Sequence, residues 1–213
     1  MPEHSLSLDA AADVTRTGDL WLFRGRTAAD RAIQVTTNSP VNHVGMAVVI
    51  EDLPPLLWHA ELGRSLPDVW SGSQHRGAQL HDLKDAVQVW GRKYGQRAWL
   101  RQLTPPASKK MEDAALRTVA RLDGTPFPRT ARLAGQWLRG RVPRRGKTLV
   151  PADPVEVESA YCAEIVATTY AEMGLLDNDR RPSWYDPGRF WSGDELALVG
   201  DRGLGGEIAV RLG

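Results

Sequence analysis

Two apolar runs separated by a short turn most constrain the fold of this chain. The first run, His43–Ile50 (HVGMAVVI), is rich in valine and isoleucine, and the second is Leu56–Leu62 (LLWHAEL). Because a parallel crossover needs a dozen or more residues, the short spacing favours antiparallel pairing of the two runs. The sequence therefore predicts a hairpin, turning at Asp52-Leu53-Pro54-Pro55, within an antiparallel sheet.

The remaining pattern predicts an α+β domain with helices before and after this sheet. Residues 1–15 are weakly patterned and are predicted to form a loose arm, with one domain over residues 16–213. Further strands are predicted at Asp19–Phe23, Ala78–Leu83, Ala86–Trp90, Arg97–Leu103 and Glu207–Leu212. Helices are predicted at Thr27–Thr36, Ser108–Leu122 and Tyr161–Gly174.

Composition excludes several classes of protein. With 213 residues, 42% hydrophobic and 25% charged, the chain suits one ordinary folded domain. Its formal net charge of +1 gives no overall attraction to nucleic acid or anionic lipid, and no nucleic-acid partner is expected. The single cysteine excludes an internal disulfide. No signal peptide or membrane-spanning run is evident, so a cytoplasmic location is expected.

Cys162 is a candidate nucleophile because it lies in the first turn of a predicted helix. The partial positive charge of a helix N-terminus favours a thiolate, which is a strong nucleophile once paired with a base. The alternative is that Cys162 is a small buried apolar residue, as free cysteines often are.

His43 is the candidate base, and two residues compete to orient it. His43 opens the first strand of the hairpin, and pairing of the two strands brings His59 within a register step or two of it. A polar neighbour of this kind can hold an imidazole in the required tautomer. Glu61 projects from the same strand face as His59 and is the alternative orienting residue.

Together these segments resemble the circularly permuted NlpC-like papain-fold cysteine hydrolases of the YiiX/YaeF type, distant relatives of the lecithin–retinol acyltransferase group. The resemblance spans roughly residues 18–175, and in this family the histidine precedes the cysteine. The matching segments are Gly18-Asp19-Leu20, Asn42-His43-Val44-Gly45-Met46, Trp58-His59-Ala60-Glu61 and Tyr161-Cys162-Ala163-Glu164-Ile165-Val166.

The resemblance implies a papain-like sheet packed against the cysteine helix. It assigns Cys162 as nucleophile, His43 as base and Tyr161 as a donor to the oxyanion, while His59 stands where the family often has a carboxylate. The implied activity is a thiol-dependent hydrolase or acyl transferase acting on a peptide fragment, acylated amino acid or lipid. The alternative is a non-catalytic binding module on the same fold.

A basic stretch at about residues 129–147 is the candidate contact surface for an anionic or lipid partner. The alternative is a solvated loop. Its basic residues are Arg129, Arg132, Arg139, Arg141, Arg144, Arg145 and Lys147.

No cofactor or metal is expected. The spacings of His43, His59, His75 and His81 match no zinc-binding pattern.

Overall fold

The central strands are buried on both faces, which places the sheet in the middle of the fold. The computed structural model describes residues 5–26, 39–126, 154–177, 179–194 and 196–212, with the backbone alone for 154–160 and 194. Its strands are β1 (Ser5–Ser7), β2 (Leu20–Arg24), β3 (His43–Val48), β4 (Leu56–Glu61), β5 (Gly77–Asp82), β6 (Arg97–Arg101), β7 (Leu103–Thr104), β8 (Gly203–Leu204) and β9 (Ile208–Arg211).

Seven of these strands form one sheet in the order β1-β9-β6-β2-β3-β4-β5, and β7 pairs with β8 in a small second sheet. All pairings are antiparallel except that of β1 with β9. The predicted hairpin is confirmed, because β3 and β4 pair with Met46 opposite Trp58. The α+β class is likewise confirmed.

Four helices accompany the sheet in the described residues: α1 (Leu8–Asp13), α2 (Leu83–Tyr94), α3 (Lys109–Leu122) and α4 (Pro154–Glu172). Three short 3₁₀ turns follow at Pro182–Trp184, Pro187–Phe190 and Ser192–Asp194. The helix predicted at Ser108–Leu122 is confirmed, with Ser108 at its N-cap. The helix predicted at Thr27–Thr36 and the basic stretch at 129–147 lie outside the described residues.

The strand predicted at Ala86–Trp90 is wrong, because this segment belongs to α2. The side chain of Asp82 caps the helix by accepting a hydrogen bond from the Asp85 backbone N–H at 3.0 Å. Gly95 ends it in the left-handed conformation, with φ at 63°. The buried residues of α2 follow a helical spacing: Leu83, Ala86, Val87 and Trp90.

The N-terminal segment also differs from the predicted loose arm. Residues 5–13 form β1 and α1, and β1 extends the large sheet beside β9. Leu8, Ala11 and Ala12 are buried. Their apolar side chains give this segment enough contact with the core to order it.

Side-chain alternation divides the core into two layers, one on each side of the sheet. Val44 and Met46 of β3 belong to the layer that α4 completes, which we call the α4 face. Ala47 of β3 and Leu57 of β4 belong to the layer built with α1 and α2, which we call the α2 face. Neighbouring residues of β3 and β4 therefore point to opposite sides of the sheet.

Candidate functional site

Two histidines on adjacent strands form the centre of the candidate site. Nε2 of His43 lies 3.1 Å from Nδ1 of His59. His43 shares its strand face with Ala47, and His59 shares its face with Leu57, so both imidazoles lie on the α2 face. The sequence-based expectation that the hairpin brings His43 and His59 together agrees with this geometry.

The pair continues into the next strand as a line of hydrogen bonds. Nε2 of His59 lies 3.1 Å from Nδ1 of His81, and Nε2 of His81 lies 3.2 Å from Oε1 of Gln79. Gln79 and His81 are neighbours of His59 and Leu57 across the β4–β5 ladder, which places all four polar side chains on one face. The site is therefore a chain of three imidazoles that ends on an amide.

This chain is enclosed by aromatic rings. Trp90 of α2 lies edge-on to His43 and His59, with ring centroids 5.1 and 4.9 Å away. Phe23 of β2 packs beside both Trp90 and His43. His59 and His81 are completely buried, whereas His43 retains 7% exposure. His43 is therefore the end of the chain that is nearest to solvent.

Gly45 makes space for the second imidazole. A Cβ atom on Gly45 would lie 2.7 Å from Cδ1 of Leu57 and 3.3 Å from Cβ of His59. The first distance is shorter than real Cβ contacts allow, so any larger residue would force these side chains to move.

Burial keeps the imidazoles neutral. Loss of hydration, followed by the proximity of His81, lowers the pKa of His43 to about 3. Burial also lowers the pKa of His59 well below its ordinary value, and His81 and His43 add to that effect. The pKa of His81 is lowered by burial too, but the carboxylates of Glu61 and Asp68 oppose the shift.

Cys162 and Tyr161 lie on the other side of the sheet. Both belong to the α4 face, packed in the same cluster as Val44 and Met46, and Cys162 is completely buried. The structure does not bring Cys162 and His43 together, because the backbone layer of β3 and β4 lies between the two side chains. Tyr161 lies on the same side as Cys162.

The position of Cys162 within its helix differs as well. The helix α4 begins at Pro154, so Cys162 lies more than two turns beyond the N-terminus. The favourable field of a helix N-terminus falls off within the first turn and gives this thiol no support. Burial raises the pKa of Tyr161 to about 12, with Glu164 adding to the shift, so its hydroxyl stays protonated.

Glu61 does not orient His43. Its carboxylate accepts hydrogen bonds from the Arg64 and Ser65 backbone N–H groups, at 3.2 and 3.3 Å, and from the Ser65 hydroxyl at 2.5 Å. These bonds hold the chain after β4. The residue that hydrogen-bonds to His43 is His59.

Sequence reasoning missed three contributors to the site. Gln79 and His81 carry a usable signal, because alternate residues of one strand share a face and β5 pairs beside β4. The incorrect strand prediction for this segment gives no reason to place Trp90 at the site. The helical spacing of Leu83, Val87 and Trp90 is the sequence feature that indicates a helix with one buried face.

In the described ranges, no group of three or more histidine, cysteine or acidic side chains is arranged to hold a metal ion. The three imidazoles bond to one another in a line and do not converge on a common point. Within those same ranges no helix is both long and apolar enough to cross a bilayer.

Comparison with known proteins shows a weak structural similarity. No protein-family model matches this chain, and no curated protein matches it either. The chain is similar in structure to the metalloprotein YiiX from Escherichia coli O157:H7, at 19% sequence identity and a TM-score of 0.48. The match covers 75% of this chain and 66% of that chain, just under two thirds of its length. Similarity at this level establishes neither a family nor an activity.

Proposed function

We propose that the protein is an amide or ester hydrolase, or an acyl transferase, in which His43 is the acid–base residue. The observation that carries the proposal is the hydrogen bond between His43 Nε2 and His59 Nδ1. It fixes one ring nitrogen of His43, while no described residue hydrogen-bonds to the other, Nδ1. A ring held in this way has a fixed orientation, which a general base requires.

The burial of three titratable rings in one cluster supports a chemical role. Polar groups in an apolar layer cost stability unless they are hydrogen-bonded, and clusters with strongly shifted pKa values are typical of functional sites. The resemblance of the sequence to the permuted papain-like hydrolases supports an acyl carbonyl as the target. Peptide fragments, acylated amino acids and lipids are the substrate classes that follow from it.

The proposed reaction uses water or an acceptor hydroxyl as the nucleophile. Nδ1 of His43 takes the proton of the attacking O–H group while its oxygen bonds to the carbonyl carbon, and the carbonyl electron pair moves onto oxygen. When the carbonyl reforms, the bond to the leaving nitrogen or oxygen breaks and the proton passes to that atom. A thiol step through Cys162 is not included, because its sulfur lies on the opposite face.

The low pKa of His43 sets a condition on this reaction. A base with a pKa of about 3 is fully unprotonated at pH 7, as a base must be. Leaving a proton on that ring at pH 7 costs about 5 kcal/mol, since each pKa unit corresponds to about 1.4 kcal/mol. The site therefore works best if the positive charge can move elsewhere.

A non-catalytic binding module is the second candidate. The separation of Cys162 from His43 favours it, because that separation removes the nucleophile that the resemblance implies. In this case His43 would accept a hydrogen bond from a bound ligand without turnover.

Hydrolysis of p-nitrophenyl acetate tests the proposal. We expect His43→Gln to abolish the activity of the purified protein and Cys162→Ala to preserve it. The control is His75→Gln, since His75 belongs to the same region but bonds to the Ala78 carbonyl outside the chain of imidazoles. Loss of activity in Cys162→Ala alone would overturn the proposal, and absence of turnover in the unmodified protein would favour the binding module.

A further inference from the structure

We propose that Gln79 sets the tautomers of all three buried histidines, so that His43 offers Nδ1 as a proton acceptor and the charge it gathers is passed to His81. The inference takes its chemical purpose from the proposed function, but the tautomers themselves follow from the hydrogen bonds alone. In this scheme Gln79 and His81 are positioning residues.

The orientation of the Gln79 amide is decided by its other neighbours. Its Nε2 lies 3.2 Å from the carbonyl oxygen of His75 and 3.4 Å from that of Gly77. Carbonyl oxygens only accept hydrogen bonds, so the amide NH₂ must face them and Oε1 must face His81. Gln79 is completely buried, so bulk solvent does not compete with these partners.

The orientation of Gln79 then propagates along the chain. Because Oε1 only accepts, Nε2 of His81 must carry a hydrogen, and the neutral ring leaves Nδ1 as an acceptor. His59 must therefore donate from Nε2 and accept at Nδ1. His43 in turn donates from Nε2, so the lone pair of its neutral ring is on Nδ1. This order reverses that of the usual catalytic triad, where Nδ1 is held and Nε2 is the base.

The same hydrogen bonds allow a balanced transfer of charge. When Nδ1 of His43 gains a proton, its Nε2 proton can move to Nδ1 of His59, and the Nε2 proton of His59 can move to Nδ1 of His81. His43 and His59 end neutral with hydrogen on Nδ1, and His81 ends as the cation. No oxidant, reductant or further reactant is needed.

His81 is the ring of the chain on which carboxylates favour a positive charge, since Glu61 and Asp68 raise its pKa against the effect of burial. Asp68 is fixed beside β5, where its carboxylate accepts a hydrogen bond from the Leu80 backbone N–H at 2.8 Å. Burial lowers the pKa of His81, but these two carboxylates and the Leu66 carbonyl counter the shift, with only His75 acting in the other direction. For His43 the named influences, burial and His81, both lower the pKa.

Nitrogen-15 NMR of the full-length protein reads the tautomers directly, using long-range proton–nitrogen correlations within each imidazole. At about pH 7 we expect His43, His59 and His81 to be neutral with hydrogen on Nε2. Gln79→Leu removes the acceptor and should produce mixed tautomers at His81. A hydrogen on Nδ1 of His43 in the unmodified protein would overturn the inference.

Hydrolysis of p-nitrophenyl acetate supplies the second readout. Gln79→Leu should lower kcat roughly tenfold, the effect of losing one hydrogen bond that selects a tautomer, with KM little changed. In Gln79→Glu the added carboxylate should move the acidic limb of the pH profile to higher pH, because His81 then protonates more readily. An unchanged kcat and pH profile in both variants would contradict the proposed transfer of charge from His43 to His81.

The two proposals fail separately. If the tautomers are as expected but His43→Gln remains fully active, the proposed function is wrong and the role of Gln79 stands. If His43→Gln is inactive while His43 of the unmodified protein carries its hydrogen on Nδ1, the proposed function stands and the proposed role of Gln79 is wrong.

Discussion

His43 and Cys162 lie on opposite faces of one sheet, with the backbone of β3 and β4 between them. Cys162, on α4, belongs to the same apolar layer as Val44 and Met46, while the imidazole of His43 packs with Phe23 and Trp90 under α2. Successive residues of β3 point to opposite faces of the sheet, so His43 lies on the α2 face while its neighbour Val44 lies on the face where Cys162 packs.

Replacement of Cys162 by alanine should therefore leave esterase activity within about twofold of the unmodified protein. The smaller side chain leaves a small cavity and should lower the free energy of unfolding by about 1 kcal/mol. Kinetics and urea denaturation of Cys162→Ala measure the two effects.

Alkylation provides an independent check on the same residue. Since Cys162 is the one cysteine of the chain and is completely buried, iodoacetamide should label the folded protein far more slowly than the urea-unfolded protein. Equal rates, or faster labelling of the folded state, would contradict the placement of the thiol.

The approach of His43 to His59 was predictable because it depends on local features. The turn between β3 and β4 is short, and strand alternation puts both residues on one face. The side on which α4 packs was not predictable in this way. Both faces of β3 are apolar, so the sequence pattern does not distinguish the face of Val44 from that of His43.

The helix α2 shows a second limit of sequence reasoning. Val87 and Trp90 belong to residue types favoured in strands, and the segment was therefore predicted as a strand. The capping bond from the Asp85 backbone to Asp82 and the packing of Leu83 and Trp90 on the sheet decide the outcome. Tertiary burial overrides a weak local preference here.

Gly45→Ala should destabilise the protein by about 1–3 kcal/mol, because the new methyl group overlaps Leu57 and crowds His59. Urea denaturation measures the change. Gly206→Ala is the matched control, since a Cβ atom there would meet no neighbour within 4 Å. Equal effects of the two substitutions would show that Gly45 is not needed to seat the His59 ring.

Acid should destabilise the fold through the buried histidines. The folded pKa of His43 is about 3, below its ordinary value of 6.5, so the unfolded chain binds more protons between those two values. The contribution of His43 to the free energy of unfolding is complete above about pH 6.5 and is lost as the pH falls toward 3. His43 alone accounts for a slope of up to about 1.4 kcal/mol per pH unit in that window.

Urea denaturation at a series of pH values tests this dependence. His43→Gln removes one titrating group. The slope of the free energy of unfolding against pH, between about pH 4 and pH 6, should therefore decrease by the contribution of one proton. A variant with the same slope as the unmodified protein would mean that His43 is not buried in its neutral form.

Leu8→Ala should lower the free energy of unfolding by about 2 kcal/mol, at the lower end for a core leucine. Leu8 is 6% exposed and packs, with Ala11 and Ala12, in the layer on the α2 face. Asp9→Ala is the matched control in the same helix. Asp9 is 76% exposed, and its surface ion pair with Lys84 should contribute little to stability. If Leu8→Ala costs no more than Asp9→Ala in urea denaturation, the N-terminal helix does not contribute to the core that encloses the imidazoles.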